Sequence, residues 1–259
     1  MKRTVLMIII ALICGTTVFT GCHKDENENA ASVFVAGQSG NSAVLWKNGI
    51  AHDLVGTSTK STGEYRTWAN SVYVSGRDVY VAGSISTIEN EQEAHIAVLW
   101  KNGKAQYLTD ATTNPSVAKS VFVTGNDIYI AGRDDGDATL WKNGESQVLV
   151  DIGIVTTNSV YVSGSDVYVA GHNYKYAILW KNGEAQYLAS GINFASANSV
   201  YVSGNDVYVV GMEWKFDDNS GIMTGAIPRL WKNGVRQNLA YGTDAQCVFE
   251  NNTNWQCYN

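Results

Sequence analysis

The sequence predicts an all-β protein built from five repeated units, and two recurring phrases carry this prediction. The phrase Leu-Trp-Lys-Asn-Gly occurs five times, with its tryptophans at Trp46, Trp100, Trp141, Trp180 and Trp231. A second phrase, Ser-Val-Tyr-Val-Ser-Gly-Arg-Asp-Val-Tyr-Val-Ala-Gly at 71–83, is echoed from Ser120, Ser159 and Ser199. Repetition at an interval of roughly 40 to 50 residues is typical of architectures in which neighbouring copies bury one another.

The second phrase predicts two strands around a tight turn. Its two Val-Tyr-Val segments alternate with the period of two that a strand requires, and Ser-Gly-x-Asp separates them. A two-residue turn at Gly76-Arg77 sets Tyr73 opposite Tyr80. Cross-strand aromatic pairs of this kind stabilise a sheet by a few tenths to about 1 kcal/mol each.

The tryptophan phrase predicts two more strands. The first covers Ala43 to Trp46, Asn48-Gly49 forms the turn, and the second ends near Leu54. Asn-Gly favours a type I′ hairpin because both residues tolerate positive φ. A buried tryptophan removes about 150–250 Å² from water, so we expect these mid-strand side chains in the core rather than as an exposed row for sugar stacking.

Four short strands repeated five times predict a five-bladed β-propeller of four-stranded antiparallel blades. We call the strands of each blade A to D in chain order. The segment 32–37 matches strand B, so the first blade lacks strand A, and the segment 245–249 matches the missing strand. We therefore expect the C-terminal strand to complete the first blade and close the ring, which leaves no free edge.

The N-terminal residues predict a lipoprotein signal. Lys2 and Arg3 precede an apolar run and then Phe19-Thr20-Gly21-Cys22, which resembles the lipobox of bacterial lipoproteins. The predicted organisation is a signal peptide at 1–21, a flexible tether at 22–31 with Cys22 lipidated, and a propeller at 32–259. The segment 24–26 resembles a surface-export tag, so we expect an outer membrane lipoprotein exposed at the cell surface. A soluble secreted protein cut nearby is the alternative.

Cysteine usage agrees with export. Cys247 and Cys257 fall in the last hairpin, and two cysteines in an exported chain most simply form one disulfide. Two free thiols remain the alternative.

Composition and spacing exclude several functions. The formal net charge is −6 and no basic cluster occurs, which argues against nucleic acid and leaves the lipid as the only membrane contact. The four histidines show no metal-ligand spacing, so we expect no transition metal and no cofactor. The acidic loops 134–137 and 217–221 could hold calcium, but neither has the ligand spacing of a known calcium loop. The repeated aspartates sit beside hairpin turns, where such side chains usually bond to their own backbone: Asp78, Asp127, Asp166 and Asp206.

The connections that differ between repeats predict where the binding surface lies. The A–B and C–D turns are short and uniform, whereas the B–C and D–A connections differ between copies and should share the other end. The first residues of strand A would ring the channel mouth there: Asn70, Lys119, Asn158, Asn198 and Gln246. Further candidates on the B–C connections are His172, Tyr174, Tyr176, Trp214 and Asp217. Such aromatic, amide and acidic groups suit a carbohydrate, but the aromatics could instead pack onto the blades and the amides bond neighbouring backbone.

The two phrases resemble those of bacterial β-propeller lipoproteins with Trp-Lys-Asn-Gly repeats, over residues 32 to about 250. This resemblance implies the fold and not an activity. We expect a non-enzymatic binding module that presents its B–C and D–A loops to a glycan or protein ligand. The alternatives are a carbohydrate-active lyase or hydrolase that uses loop acids such as Asp135 or Asp217, and a structural subunit of an envelope complex. The mouth offers no pair of carboxylates, which glycoside hydrolysis requires.

Overall fold

A computed structural model describes residues 32–54, 66–89, 92–149, 155–173, 175–188, 194–217, 220 and 223–239. These residues form strands and turns and contain no helix, so none of them belongs to a helix able to cross a membrane. The predicted signal peptide and tether, Tyr174, the C-terminal strand with Gln246, and the three cysteines Cys22, Cys247 and Cys257 lie outside the described residues.

The described strands form five antiparallel sheets, and within each sheet the strands follow chain order. Sheet 1 contains β1 (Phe34–Ser39), β2 (Ser42–Lys47) and β3 (Ile50–Leu54). Sheet 2 contains β4 (Arg66–Ser75), β5 (Asp78–Glu89), β6 (Gln92–Lys101) and β7 (Lys104–Tyr107). Sheet 3 contains β8 (Val117–Thr124), β9 (Asp127–Asp134), β10 (Asp137–Lys142) and β11 (Glu145–Val148). Sheet 4 contains β12 (Val155–Ser163), β13 (Asp166–Asn173), β14 (Ala177–Lys181) and β15 (Glu184–Tyr187). Sheet 5 contains β16 (Ala195–Ser203), β17 (Asp206–Phe216), β18 (Met223–Lys232) and β19 (Val235–Asn238). The all-β prediction is confirmed.

The predicted registers are also confirmed. Tyr73 pairs with Tyr80 across β4 and β5, with a valine pair on each side. The Asn-Gly turn of sheet 1 has φ of 50° at Asn48 and 82° at Gly49, as a type I′ hairpin requires. Successive sheets pack against each other in chain order, largely through their first strands.

The tryptophan phrase supplies the packing between sheets. Four of its tryptophans are fully buried: Trp100, Trp141, Trp180 and Trp231. Each packs on the preceding sheet, as Trp180 does on Ala131, Leu140 and Leu149 of sheet 3. The core prediction is therefore confirmed for these four, while Trp46 of sheet 1 is only partly buried.

In sheets 2 to 5 the second strand carries a glycine opposite a β-bulge of the first strand: Gly83, Gly132, Gly171 and Gly211. In sheet 4 the pairing of β12 with β13 shifts between Thr157 and Ser159, and sheets 2, 3 and 5 shift at the equivalent place. A Cβ added to Gly171 would overlap the carbonyl oxygen of Thr156 and lie 3.0 Å from Cζ3 of Trp180. The position thus requires glycine for space, not for a positive φ.

Replacing Gly171 with alanine is expected to lower the free energy of unfolding by about 3 kcal/mol, because the overlapping atom belongs to the backbone and cannot rotate away. Chemical denaturation measures this loss. The matched control is Gly164→Ala, where φ is +60° and no atom lies within 4 Å of the added Cβ. Its cost should be about 1 kcal/mol, from backbone strain alone. Equal losses in the two variants would contradict the bulge explanation.

The repeated aspartates do not bond to their own turns, so that prediction was wrong. Asp166 accepts from Asn182 Nδ2 at 2.9 Å and pairs with Lys181 Nζ at 2.8 Å, while Tyr168 donates its hydroxyl to the same carboxylate. Register explains the difference, because Tyr168 lies directly opposite Lys181 and a cation is a stronger partner than a backbone amide. The same cluster forms around the aspartates of sheets 2, 3 and 5: Asp78, Asp127 and Asp206.

These clusters predict a dependence of stability on pH. Lys181 and Asn182 hold the pKa of Asp166 below its ordinary value, and equivalent partners act on the other three aspartates. Because the pKa is lower in the folded state, the stabilisation is complete above the unfolded value of about 4 and is lost as the pH falls through the folded value. The melting temperature should therefore fall between about pH 5 and pH 3. A variant with all four aspartates changed to asparagine should show a shallower decline, and an identical pH profile would refute the link.

Candidate functional site

The sheets share two distinct ends. Hydrogen bonds between equivalent residues show that the first strands run parallel: Ser71 Oγ accepts from Val121 N, and Ser120 Oγ accepts from Val160 N. The four Asp-Lys-Asn clusters and the tight turns therefore lie together, at what we call the uniform end. The first strands begin at the opposite end, where the hairpins between second and third strands also turn. We call this the individual end.

Two of the B–C connections are strands rather than the predicted loops. β5 continues to Glu89 and β6 begins at Gln92, while β17 continues to Phe216 and β18 begins at Met223. The pairing persists because the side chains there keep alternating, so the ladder of sheets 2 and 5 extends beyond the body of each sheet. Sheets 1, 3 and 4 turn sooner. The individual end thus carries two projecting hairpins beside three short ones.

Four of the five candidate mouth residues occupy the bulges of the first strands: Asn70, Lys119, Asn158 and Asn198. Asn70 Nδ2 donates to the carbonyl oxygen of Ala118 at 2.9 Å, and Asn158 Nδ2 donates to that of Ala197 at 2.9 Å. Each bond joins one sheet to the next, which confirms for Asn70 and Asn158 the alternative that these amides bond neighbouring backbone. Asn198 occupies the equivalent bulge of sheet 5 and is partly buried.

Lys119 departs from this pattern. It occupies the same bulge in sheet 3, where the neighbouring sheets have asparagine, and it is partly buried. Burial lowers the pKa of Lys119, and the positive charge of Arg133 lowers it further. Among the described residues, no carboxylate lies within 4.0 Å of the charged groups of Lys119 or Arg133. In the described part of the chain, Lys119 is therefore a partly desolvated cation that has no acidic partner.

Arg133 and His172 occupy equivalent places, each directly after the glycine of its second strand. Arg133 donates Nε and Nη2 to the carbonyl oxygen of Gly136, at 3.2 and 3.1 Å. His172 Nδ1 lies 3.2 Å from Asn158 Nδ2, which can only donate, so Nδ1 accepts and the imidazole is neutral. Burial lowers the pKa of His172, with smaller contributions from the charges of Lys119 and Arg133.

Sequence reasoning selected Lys119 and His172 but missed Arg133. The signal was present, since Arg133 follows Gly132 as His172 follows Gly171. Its relation to Lys119 was not visible, because the two residues lie on different strands of sheet 3 and the bulge offsets their register.

An exposed aromatic surface lies on sheet 5. The rings of Phe194 and Phe216 are 5.3 Å apart, and the amide of Trp214 donates to the carbonyl oxygen of Phe194 at 2.8 Å. Phe194 is 45% exposed, and Trp214 and Phe216 are partly exposed. We call these three residues the aromatic shelf.

The shelf stands on a braced hairpin. Behind it the buried Glu213 accepts from Arg229 Nε at 2.8 Å and lies 3.3 Å from Arg236 Nη1. A carboxylate bound by two guanidinium groups fixes the hairpin at the level of Trp214, because charge-assisted hydrogen bonds are strong and directional. The shelf is therefore held in one orientation by the sheet that carries it.

Tyr176 and Asp217 serve local structure. The ring of Tyr176 packs on that of Tyr187 at 5.2 Å and against the core, which confirms for this residue the alternative that loop aromatics pack onto the sheets. Asp217 Oδ1 accepts from both the amide and the hydroxyl of Ser220 at 2.8 Å, as in a turn.

The acidic hairpin of sheet 3 is likewise engaged in its own turn. Asp135 accepts from Asn114 Nδ2 at 3.1 Å, and its backbone amide donates to Ser116 Oγ at 2.9 Å. Burial raises the pKa of Asp134, and the charges of the neighbouring acids raise it further. Within the described ranges, no group of three or more histidine, cysteine, aspartate or glutamate side chains is placed to hold a metal ion.

Comparison with known proteins gives only distant likeness. No family model matches the chain, and no curated protein matches it. Two similar solved structures are the computationally designed Ika4 protein and the catalytic domain of Coprinopsis cinerea GH62 alpha-L-arabinofuranosidase. The first has a TM-score of 0.34 and 15% identity, covering 70% of this chain and 98% of its own. The second has a TM-score of 0.38 and 14% identity, covering 69% and 68%. Likeness at this level carries no functional argument.

Proposed function

We propose that the protein is a non-enzymatic binding module that holds a glycan at its individual end. The observation that carries this proposal is the aromatic shelf of Phe194, Trp214 and Phe216, exposed on a braced hairpin beside the polar mouth. Apolar sugar faces stack on exposed aromatic rings, while amide and charged groups bind the hydroxyls. Asp135 and Asp217, which an enzyme would need as acid and base, are instead engaged in turns.

We further propose that the five sheets are the blades of a β-propeller closed by the C-terminal strand. Rings on the first strands form a continuous row, with centroid separations of 5.0, 4.8 and 5.2 Å: Tyr73, Phe122, Tyr161 and Tyr201. By alignment of the repeats, Phe249 is the next member of this row. Closure would also give Trp46 a preceding sheet, which every other tryptophan of the phrase has.

The cellular location is proposed from the N-terminus alone. A lipid on Cys22 would attach the protein to the outer membrane and present the module at the cell surface. In cells fed an alkyne-tagged fatty acid, we expect the full chain to be labelled and found in the membrane fraction. Cys22→Ser should abolish both properties. Labelling that persists in this variant would exclude Cys22 as the anchor.

Binding of the full-length protein, purified in detergent, to a glycan array tests the function. We expect Phe194→Ala and Trp214→Ala to weaken binding at least tenfold. The stacking of a nucleic-acid base on an aromatic side chain is worth about 1–3 kcal/mol, and we expect the stacking of a sugar ring to be of similar size. The control is Ile50→Ala, which removes an exposed apolar side chain at the uniform end. Absence of binding to any sugar would refute the glycan proposal and favour a protein partner or a structural subunit. Release of cleaved sugar would establish the carbohydrate-active enzyme instead.

A further inference from the structure

We propose that Lys119, Arg133 and His172 form a binding site for an anionic group, so that the glycan is an acidic saccharide whose carboxylate lies between sheets 3 and 4. The saccharide part of this inference rests on the proposed function. The anion site itself rests on the three side chains, and its test is separate.

The three residues converge because two inter-sheet hydrogen bonds bring their strands together. Thr157 Oγ1 donates to the carbonyl oxygen of Gly132 at 2.7 Å, which places Asn158 beside Arg133. Ser120 Oγ accepts from Val160 N at 3.1 Å, which holds Lys119 against the same part of β12. His172 joins them through Asn158. The site is thus built from β8, β9, β12 and β13, and its backbone is fixed by the sheets.

Among the described residues, the cations of this site lack the carboxylate partners that the lysines of the repeated phrase have in sheets 2 to 5. Each lysine of the repeated phrase in sheets 2 to 5 pairs with an aspartate at 2.8–3.1 Å. Lys119 and Arg133 have no carboxylate within that range in the described parts of the chain, although the chain carries an excess of acid overall. A partly buried ammonium that is repelled by the charge of a nearby guanidinium is unfavourable until an anion joins it.

The equivalent positions in the other sheets show which hydrogen bond is absent at Lys119. Asparagine at the equivalent bulge of sheets 2 and 4 joins its sheet to the next through a 2.9 Å hydrogen bond to a carbonyl oxygen. Lysine at 119 replaces that bond with a desolvated charge. A partly buried charge that has no carboxylate partner among the described residues is accounted for by a ligand that neutralises it.

The position of the site relative to the aromatic shelf favours a saccharide that carries its charge on the ring. Asn158 bonds to Ala197, and Ala197 lies three residues after Phe194 of the shelf. Arg133 donates two of its five N–H groups to the carbonyl oxygen of Gly136, and its remaining N–H groups can donate to a ligand oxygen. One free guanidinium edge and one ammonium match the two oxygens of a carboxylate. An acidic oligosaccharide that stacks one ring on the shelf would thus extend along this connection toward Lys119.

The test uses variants that copy the chain's own repeats, so that each should fold. Lys119→Asn introduces the residue of sheets 2, 4 and 5, and Arg133→Ser introduces the residue that follows the equivalent glycine in sheet 2, Ser84. Binding of oligogalacturonate to the full-length protein is measured by calorimetry, with neutral galactan oligomers for comparison. We expect each variant to weaken oligogalacturonate binding at least tenfold and to leave any neutral oligomer unaffected. Lys104→Asn, an equal charge change at an exposed site of the uniform end, should have no effect.

A second measurement separates the anion site from the glycan function. Galacturonate monomer should raise the melting temperature of the native protein more than sodium chloride of equal ionic strength, and should not do so in Lys119→Asn. In the absence of ligand, Lys119→Asn should itself melt about 2–4 °C higher, because it removes a desolvated charge and restores a hydrogen bond.

The outcomes separate the two ideas. If acidic and neutral oligomers bind equally well to native protein and to both variants, the anion site is refuted and the glycan function stands. If no oligomer binds but galacturonate still stabilises the protein through Lys119, the site stands and the glycan function fails. Preference for sulfated over carboxylated oligomers would overturn the choice of a carboxylate. A melting temperature lowered by Lys119→Asn would show that Lys119 stabilises the fold, and would overturn the inference.

Discussion

Replacing Trp180 with alanine is expected to lower the free energy of unfolding by about 3–5 kcal/mol, the range observed when a buried aromatic side chain is removed from a rigid core. Trp180 is 0% exposed and packs on sheet 3, including Ala131, Leu140 and Leu149. These residues belong to a different sheet, so the loss weakens the joint between two sheets rather than one hairpin. Neither sheet can close the gap without moving against its other neighbour.

Chemical denaturation, followed by circular dichroism, measures this effect. Trp214→Ala is the matched control, because it removes the same side chain from a partly exposed position at the individual end. Its cost should be well below that of Trp180→Ala, since Trp214 is partly exposed whereas Trp180 is fully buried. Equal costs would contradict the assignment of the repeated tryptophans to the core.

Deleting residues 245 to 259 is expected to lower the melting temperature by about 10–20 °C if the C-terminal strand closes the propeller. Phe249 would lie between Tyr201 and Tyr73 at the end of the aromatic row, and burial of its ring alone corresponds to about 4 kcal/mol. The deletion would also leave sheet 1 with three strands and expose the face of Trp46. Thermal unfolding of the full-length and truncated proteins gives the comparison.

The matching control truncates only residues 251 to 259, beyond the strand that aligns with 245–249. This shorter deletion should cost much less. A melting curve unchanged by the longer deletion would exclude a closing role for this strand, and the first blade would then consist of three strands.

The fold was predictable because its determinants are local. The period of two in Val-Tyr-Val and the Asn-Gly turn specify strands and hairpins from neighbouring residues, so Tyr73 opposite Tyr80 followed directly. The same pattern predicted that the tryptophans are buried, since a tryptophan in the middle of a strand is shielded from water when both faces of its sheet are covered.

The side-chain partners were less predictable because they depend on register between strands. Lys181 reaches Asp166 only because β13 and β14 pair Tyr168 with Lys181, and the turn pattern around Asp166 pointed to its own backbone instead. Likewise, the sequence of a single repeat does not reveal the β-bulge that turns Asn158 toward sheet 5. The site at Lys119, Arg133 and His172 requires the stacking of two sheets, which no single repeat encodes.

The contacts between neighbouring sheets all have the same direction, because each fully buried tryptophan packs on the sheet that precedes its own. Trp180 faces sheet 3, and Trp231 faces sheet 4, so each sheet presents one surface backward and a different one forward. Contacts of this head-to-tail kind have no internal stop: they close into a ring or continue into a fibre. If the ring closes, the forward surface of sheet 5, with Tyr208 and Leu230, would pack on the backward surface of sheet 1, and another copy of the chain would offer it the same surface. Polymerisation is therefore the expected fate of molecules whose own two ends fail to meet.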